Sequence, residues 1–180
     1  MGKLISIFSK REDFFNPDKI SDDFTQLLKI VSENAQKKKT PSDINIVINP
    51  KEFVLSEMSS FLVKNKMIDP DIFRCTLYVS GVVSCYFKNI PESYYASDYF
   101  LKGIEENNPE SVRRGADFCF LLCTFFPERG NRRMMKTEDY LKMGKMMYFY
   151  FYDITRKTIG LSMGNNFVTM VEVAKEVIIQ

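Results

Sequence analysis

Apolar side chains recur at intervals of three and four along most of this chain, and short polar breaks, several carrying proline, separate the stripes. That spacing is the signature of helices with one buried face. Residues 1–17 form a lead-in with apolar Leu4, Ile5, Ile7 and Phe8, closed by Pro17. Ile20, Phe24, Leu27, Leu28, Val31 and Ala35 then predict a helix over about 20–38, with Ser21 placed to cap it. Thr40-Pro41-Ser42-Asp43 breaks the pattern. Ile44 to Ile48 alternates weakly and reads as an extended connector, because one short strand has no partner.

Three later breaks share one grammar. Asn49-Pro50, Asp69-Pro70 and Asn108-Pro109 each place a capping side chain before a proline. Proline suits the first helical position, where its missing N–H costs nothing and its φ is already helical. The first opens a helix carrying Phe53, Val54, Met58, Phe61 and Leu62 on one side. The second leads into residues 72–86, which are locally ambiguous. Thr76-Leu77-Tyr78-Val79 and Val82-Val83 favour a strand by propensity, with Ser80-Gly81 as a turn. Cys75, Val79, Val82, Val83 and Tyr86 equally fit a buried helix, and length and helical neighbours favour that reading. Pro91-Glu92 predicts a helix to about Asn107. Asn108-Pro109 opens one over about 109–126, nearly apolar all round after Asp117, as suits the centre of a bundle. Thr137-Glu138-Asp139 starts a long helix to about Lys157, with Gly160 as its C-terminal cap. A last helix is expected over about 165–179. The expected fold is all-α: a lead-in at 1–17 and one domain over 18–180, a multi-helix bundle of about seven helices.

Composition supports a thick helical core. The chain has 16 Phe, 9 Tyr and 10 Met but no Trp, and its hydrophobic content of 45% is too high for a disordered chain. The net charge of +2 gives no global field to attract nucleic acid or an anionic membrane, so any anion site must be local. Lys37-Lys38-Lys39 reads as a solvated helix end. No apolar run reaches the ~20 residues of a membrane span. Met1-Gly2-Lys3-Leu4-Ile5-Ser6 fits the short myristoylation pattern, which would mean little in a bacterial protein. No secretory signal is recognised, which makes the cytoplasm the expected compartment.

The absence of histidine excludes Ser-His-Asp and Cys-His catalysis within the chain, and zinc sites that need His. Acid–base work would fall to Asp, Glu, Lys, Tyr or Cys. Cys75, Cys85, Cys119 and Cys123 sit in apolar surroundings and read as small hydrophobes. Cys119 and Cys123 are one helical turn apart, a poor geometry for a disulfide. No Cys-x-x-Cys knuckle suggests a metal, and no cofactor is expected.

The chemistry that remains is concentrated past the middle. Arg113, Arg114, Arg129, Arg132 and Arg133 cluster there, with only Arg11, Arg74 and Arg156 elsewhere. On a helix Asp117 lies within reach of Arg113, four positions earlier. A carboxylate entering an apolar helix must be paired or protonated. Asp117, Glu128, Arg113, Arg129, Arg132 and Arg133 are therefore expected to form one polar network at the corner between two central helices. The rival reading is a pocket for an anionic ligand, which Glu138 and Asp139 at the next helix start oppose. Tyr140, Gly144 and Tyr148 form a four-residue ladder on that helix. Glycine is costly there and predicts close helix–helix approach. No catalytic residue is assigned.

These motifs resemble a family of bacterial helical proteins. They are Ala116-Asp117-Phe118-Cys119-Phe120-Leu121, Phe125-Phe126-Pro127-Glu128-Arg129, and Tyr140-Leu141-x-Met143-Gly144-x-x-x-Tyr148. The family carries a Gly-Asp helix, a Phe-Phe turn and a Tyr-Tyr-x-x-Met-Gly-x-x-x-Tyr helix, and the likeness spans roughly 72–178. This chain has Ala116 and Asp139 where the pattern has Gly and Tyr. The resemblance implies an all-helical fold and no activity. The expected function is a non-enzymatic binding or regulatory module, acting on a protein partner or as a homo-oligomer through a Met-, Tyr- and Phe-rich surface. The alternatives are a binder or enzyme for an anionic small molecule using the Asp117/Glu128/arginine cluster, and a nucleic-acid accessory factor.

Overall fold

The computed structural model describes residues 50–88, 91–127 and 135–178, all within one compact unit, Asn49–Ile179. The lead-in, the expected 20–38 helix and the 44–48 connector lie outside the described residues. Six helices and no strand are present among the described residues. They are α1 (Pro50–Lys64), α2 (Pro70–Lys88), α3 (Ala96–Glu105), α4 (Pro109–Phe125), α5 (Thr137–Thr155) and α6 (Thr158–Ile178). The fold is an all-α bundle.

The proline-marked starts act locally. Asp69 Oδ1 accepts from the backbone N–H of Asp71 (2.7 Å) and Ile72 (3.1 Å), occupying donors that the first turn of α2 leaves without helical partners. The Asn108 side chain accepts from the Ser111 N–H at the start of α4. The ambiguous segment 72–86 is helix throughout. Its hydroxyls return to their own helix: Thr76 Oγ1 donates to the Ile72 carbonyl (2.9 Å) and Ser80 Oγ to that of Leu77 (2.7 Å). Residues with strand propensity thus sit in a helix with their polar atoms satisfied and Cys75, Val79 and Val83 in the core.

Two boundaries differ from the sequence expectation. Pro91 does not open α3, which begins at Ala96. Ser93 takes over the lead-in: its hydroxyl donates to Asp98 (2.6 Å) and its N–H to the Tyr99 hydroxyl (3.0 Å). Side-chain bonds of this kind compete with helical backbone geometry. Gly160 does not end α5. Arg156 takes the left-handed conformation instead (φ 59°), and α6 starts at Thr158 rather than near 165. Gly160 is buried inside α6, where a Cβ would come 2.9 Å from the Tyr148 carbonyl oxygen. Its missing side chain serves helix packing, not chain reversal.

α4 packs against α3, α5 and α6, while α6 also contacts α1, α2 and α5. α6 therefore joins the α1/α2 pair to the central α4/α5 pair. At the α4–α5–α6 crossing, Phe167 meets Phe120 (ring centroids 6.1 Å) and Tyr148 (5.8 Å). Gly144 makes this approach possible: a Cβ there would lie 2.4 Å from Phe167 Cζ and 2.9 Å from Cys119 Cβ.

Candidate functional site

Glu110, Arg113 and Asp117 occupy successive turns of α4 and share one face. Asp117 is in the core, with its side chain 4% exposed. Arg113 Nη1 donates to Asp117 Oδ2 at 2.7 Å. Oδ1 accepts two hydroxyls: Tyr148 of α5 at 2.5 Å and Tyr78 of α2 at 2.7 Å. Tyr78 also accepts from Arg113 Nη1 at 2.6 Å, so its oxygen links cation to carboxylate. The Tyr78 and Tyr148 rings meet edge to face at 6.2 Å, and the guanidinium lies 5.9 Å from the Tyr78 centroid.

The same contacts continue outward. Arg113 Nε donates to Glu110 Oε2 (2.6 Å), and Lys157 Nζ to Glu110 Oε1 (2.8 Å). Lys157, Glu110, Arg113 and Asp117 thus form a line of alternating charge running inward, with side-chain exposures of 59%, 42%, 25% and 4%. Each charge is next to its opposite, and the line sums to zero. Arg114 is likewise held, by Glu92 Oε1 at 2.5 Å.

Electrostatics follow from this burial. Burial pushes the Asp117 carboxyl upward, while Arg113 and the hydroxyls of Tyr148 and Tyr78 pull the other way; the net direction is up. Arg113 stays charged: burial acts downward, but Asp117, Tyr78 and Glu110 together outweigh it. Burial pushes Tyr78 and Tyr148 well above the ordinary tyrosine range, and the neighbouring Asp117 charge adds to it. Glu110 is lowered: burial acts upward, but hydrogen bonds from Lys157 and Arg113 outweigh it. Burial lifts Cys75 and Cys123 to about 12, and Cys119 well above its usual value. A thiol that stays protonated is a poor nucleophile. The Asp117 carboxylate is occupied by three donors.

Tyr140 lies two turns before Tyr148 on α5 and is half-buried. Glu128, Arg129, Arg132 and Arg133, expected in the same network, lie outside the described residues. Three participants are absent from the sequence reading. Glu110 had a readable signal, three positions before Arg113. Tyr78 and Lys157 had none, standing 39 and 47 residues from the α4 groups they touch.

No group of three or more Cys, Asp or Glu among the described residues is arranged to hold a metal ion. None of the described helices is long and apolar enough to cross a membrane. Neither a family model, nor a curated protein, nor a solved structure matches the chain.

Proposed function

We propose that this chain is a non-enzymatic protein-interaction module of the bacterial cytoplasm. One contrast supports the reading: the interior charges are neutralised by one another, while large apolar side chains stand outside. Leu101 and Ile104 on α3, and Met146 and Ile154 on α5, are each about half exposed. Phe100 and Tyr150 bridge the two helices edge to face at 5.6 Å. Met146, Tyr150 and Ile154 follow one another at four-residue spacing, as do Phe100 and Ile104. Clustered exposed apolar groups of this kind mark contact surfaces. The resemblance of residues 72–178 to bacterial helical proteins belongs to the same proposal.

A photo-crosslinking residue at Leu101 tests it in cells, with the exposed Ser60 of α1 as control. The expected result is discrete protein adducts from position 101 only. Equal labelling from both positions would refute it. A rise in melting temperature with a phosphorylated metabolite would favour the anionic-ligand alternative instead.

A further inference from the structure

The outer face of α5 carries a regular repeat. Asp139, Lys142, Met146, Phe149 and Asp153 follow one another at steps of three, four, three and four. That is the seam spacing of a helix built to lie along another helix. Lys142, Met146 and Asp153 are exposed, and Asp139 and Phe149 half-buried. The seam is charged at both ends and apolar in the middle.

We infer that α5 pairs antiparallel with α5 of a second copy of this chain, about a two-fold axis between Met147 and Tyr148. This deepens the interaction reading and rests on it. Charge complementarity along the seam supports the pairing. In that register Lys142 faces the partner's Asp153, and Met146 faces the partner's Phe149. Symmetry repeats each contact. No layer sets like charges together, whereas a parallel pairing would stack every charge on itself. Sulfur against an aromatic ring is a favourable centre.

The groups enlisted are available. Lys142 has no ion-pair partner among the described residues. Asp153 meets Arg156 only at 3.6 Å, with both side chains about 70% exposed, so exchanging that contact for one across the axis costs little. Phe149 already rests against α6, where it fills the space beside Gly164, and Lys145 Nζ lies 5.8 Å from its ring centroid. Its position is therefore set before the partner arrives.

Sedimentation of the full chain across protein concentration tests the pairing. A reversible dimer is expected, weakening with salt because the Debye length falls from about 10 Å at 0.1 M to about 3 Å at 1 M. Lys142→Glu should raise the dissociation constant about tenfold, as two opposite-charge layers become like-charge layers across the symmetric interface. Adding Asp153→Lys to it should restore the wild-type value. Register is read separately by Lys142→Cys/Asp153→Cys in a Cys85→Ser background, which should give a disulfide-linked dimer. A monomer at all concentrations, or a dimer indifferent to Lys142→Glu, overturns the pairing. Adducts from position 101 to a different protein would then leave the broader interaction reading standing. Loss of those adducts as well removes both.

Discussion

Tyr148 donates to Asp117 across the α4–α5 contact at 2.5 Å, with both groups sealed from solvent. The phenol sits on one helix and the carboxylate on the other, so this bond fixes how the two central helices meet. Its strength comes from context. Hydrogen bonds to charged groups contribute more than neutral ones, and a buried charge deprived of its partners is costly.

Asp117→Asn should therefore lower stability by about 3–5 kcal/mol, because Arg113 and two hydroxyls lose the charge they converge on. Tyr148→Phe should cost about 1.5–3 kcal/mol. Urea denaturation of the two single variants and the double variant measures the coupling. The double variant should lose less than the sum, by about 0.5–3 kcal/mol. Strict additivity would mean that the bond contributes nothing of its own.

Two glycines on helices make opposite predictions. Gly144→Ala drives a methyl group into Phe167 and Cys119 and should cost about 1–3 kcal/mol. Gly81, in mid-α2, has nothing within 4 Å of an added Cβ. Gly81→Ala should gain about 0.5–1 kcal/mol, by removing backbone freedom from the unfolded chain. Thermal melts of both variants decide the matter; a destabilised Gly81→Ala would show α2 more crowded than described.

Alkaline pH should unfold the protein through its buried phenols. Tyr78 and Tyr148 are raised above their unfolded value of about 10. Their contribution is then complete below pH ~10 and is lost as pH climbs from there toward the raised folded values. Absorbance near 295 nm should show these two tyrosines ionising only together with the loss of helical circular dichroism. Ionisation of all nine Tyr in a still-folded protein would contradict the burial described.

Thr124 is fully buried on α4, and its hydroxyl has no hydrogen-bond partner among the described residues. An unmet buried hydroxyl carries a penalty of about 1–3 kcal/mol, so Thr124→Val should stabilise the fold by about 1 kcal/mol. Chemical denaturation checks the sign. A loss would reveal that the hydroxyl is satisfied after all.

Much of this architecture is readable because it is encoded locally. Asp69-Pro70, Asn108-Pro109 and Thr137-Glu138-Asp139 mark true helix starts, since caps, proline and first-turn acids act within a few residues. The Arg113–Asp117 pair is readable for the same reason, being one turn apart. What is not readable depends on distant groups. Pro91 looks like a start, but Ser93, Asp98 and Tyr99 organise that entry instead. Gly160 looks like a cap, but the carbonyl of Tyr148 on the preceding helix claims its empty side. Tyr78 reads as one more aromatic in an apolar stripe, until α4 brings Asp117 to its hydroxyl.

Chain order imposes a timetable on that cluster. During synthesis Tyr78, Glu110, Arg113 and Asp117 leave the ribosome well before Tyr148 and Lys157. Until then the carboxylate lacks its second hydroxyl donor, and water solvates it better than a half-built interior does. The nascent domain thus cannot seal its middle helix from the N-terminal side alone. Closure waits for α5 to emerge, so a ribosome stalled before Tyr148 would hold a chain whose central face is still wet and open to chaperones.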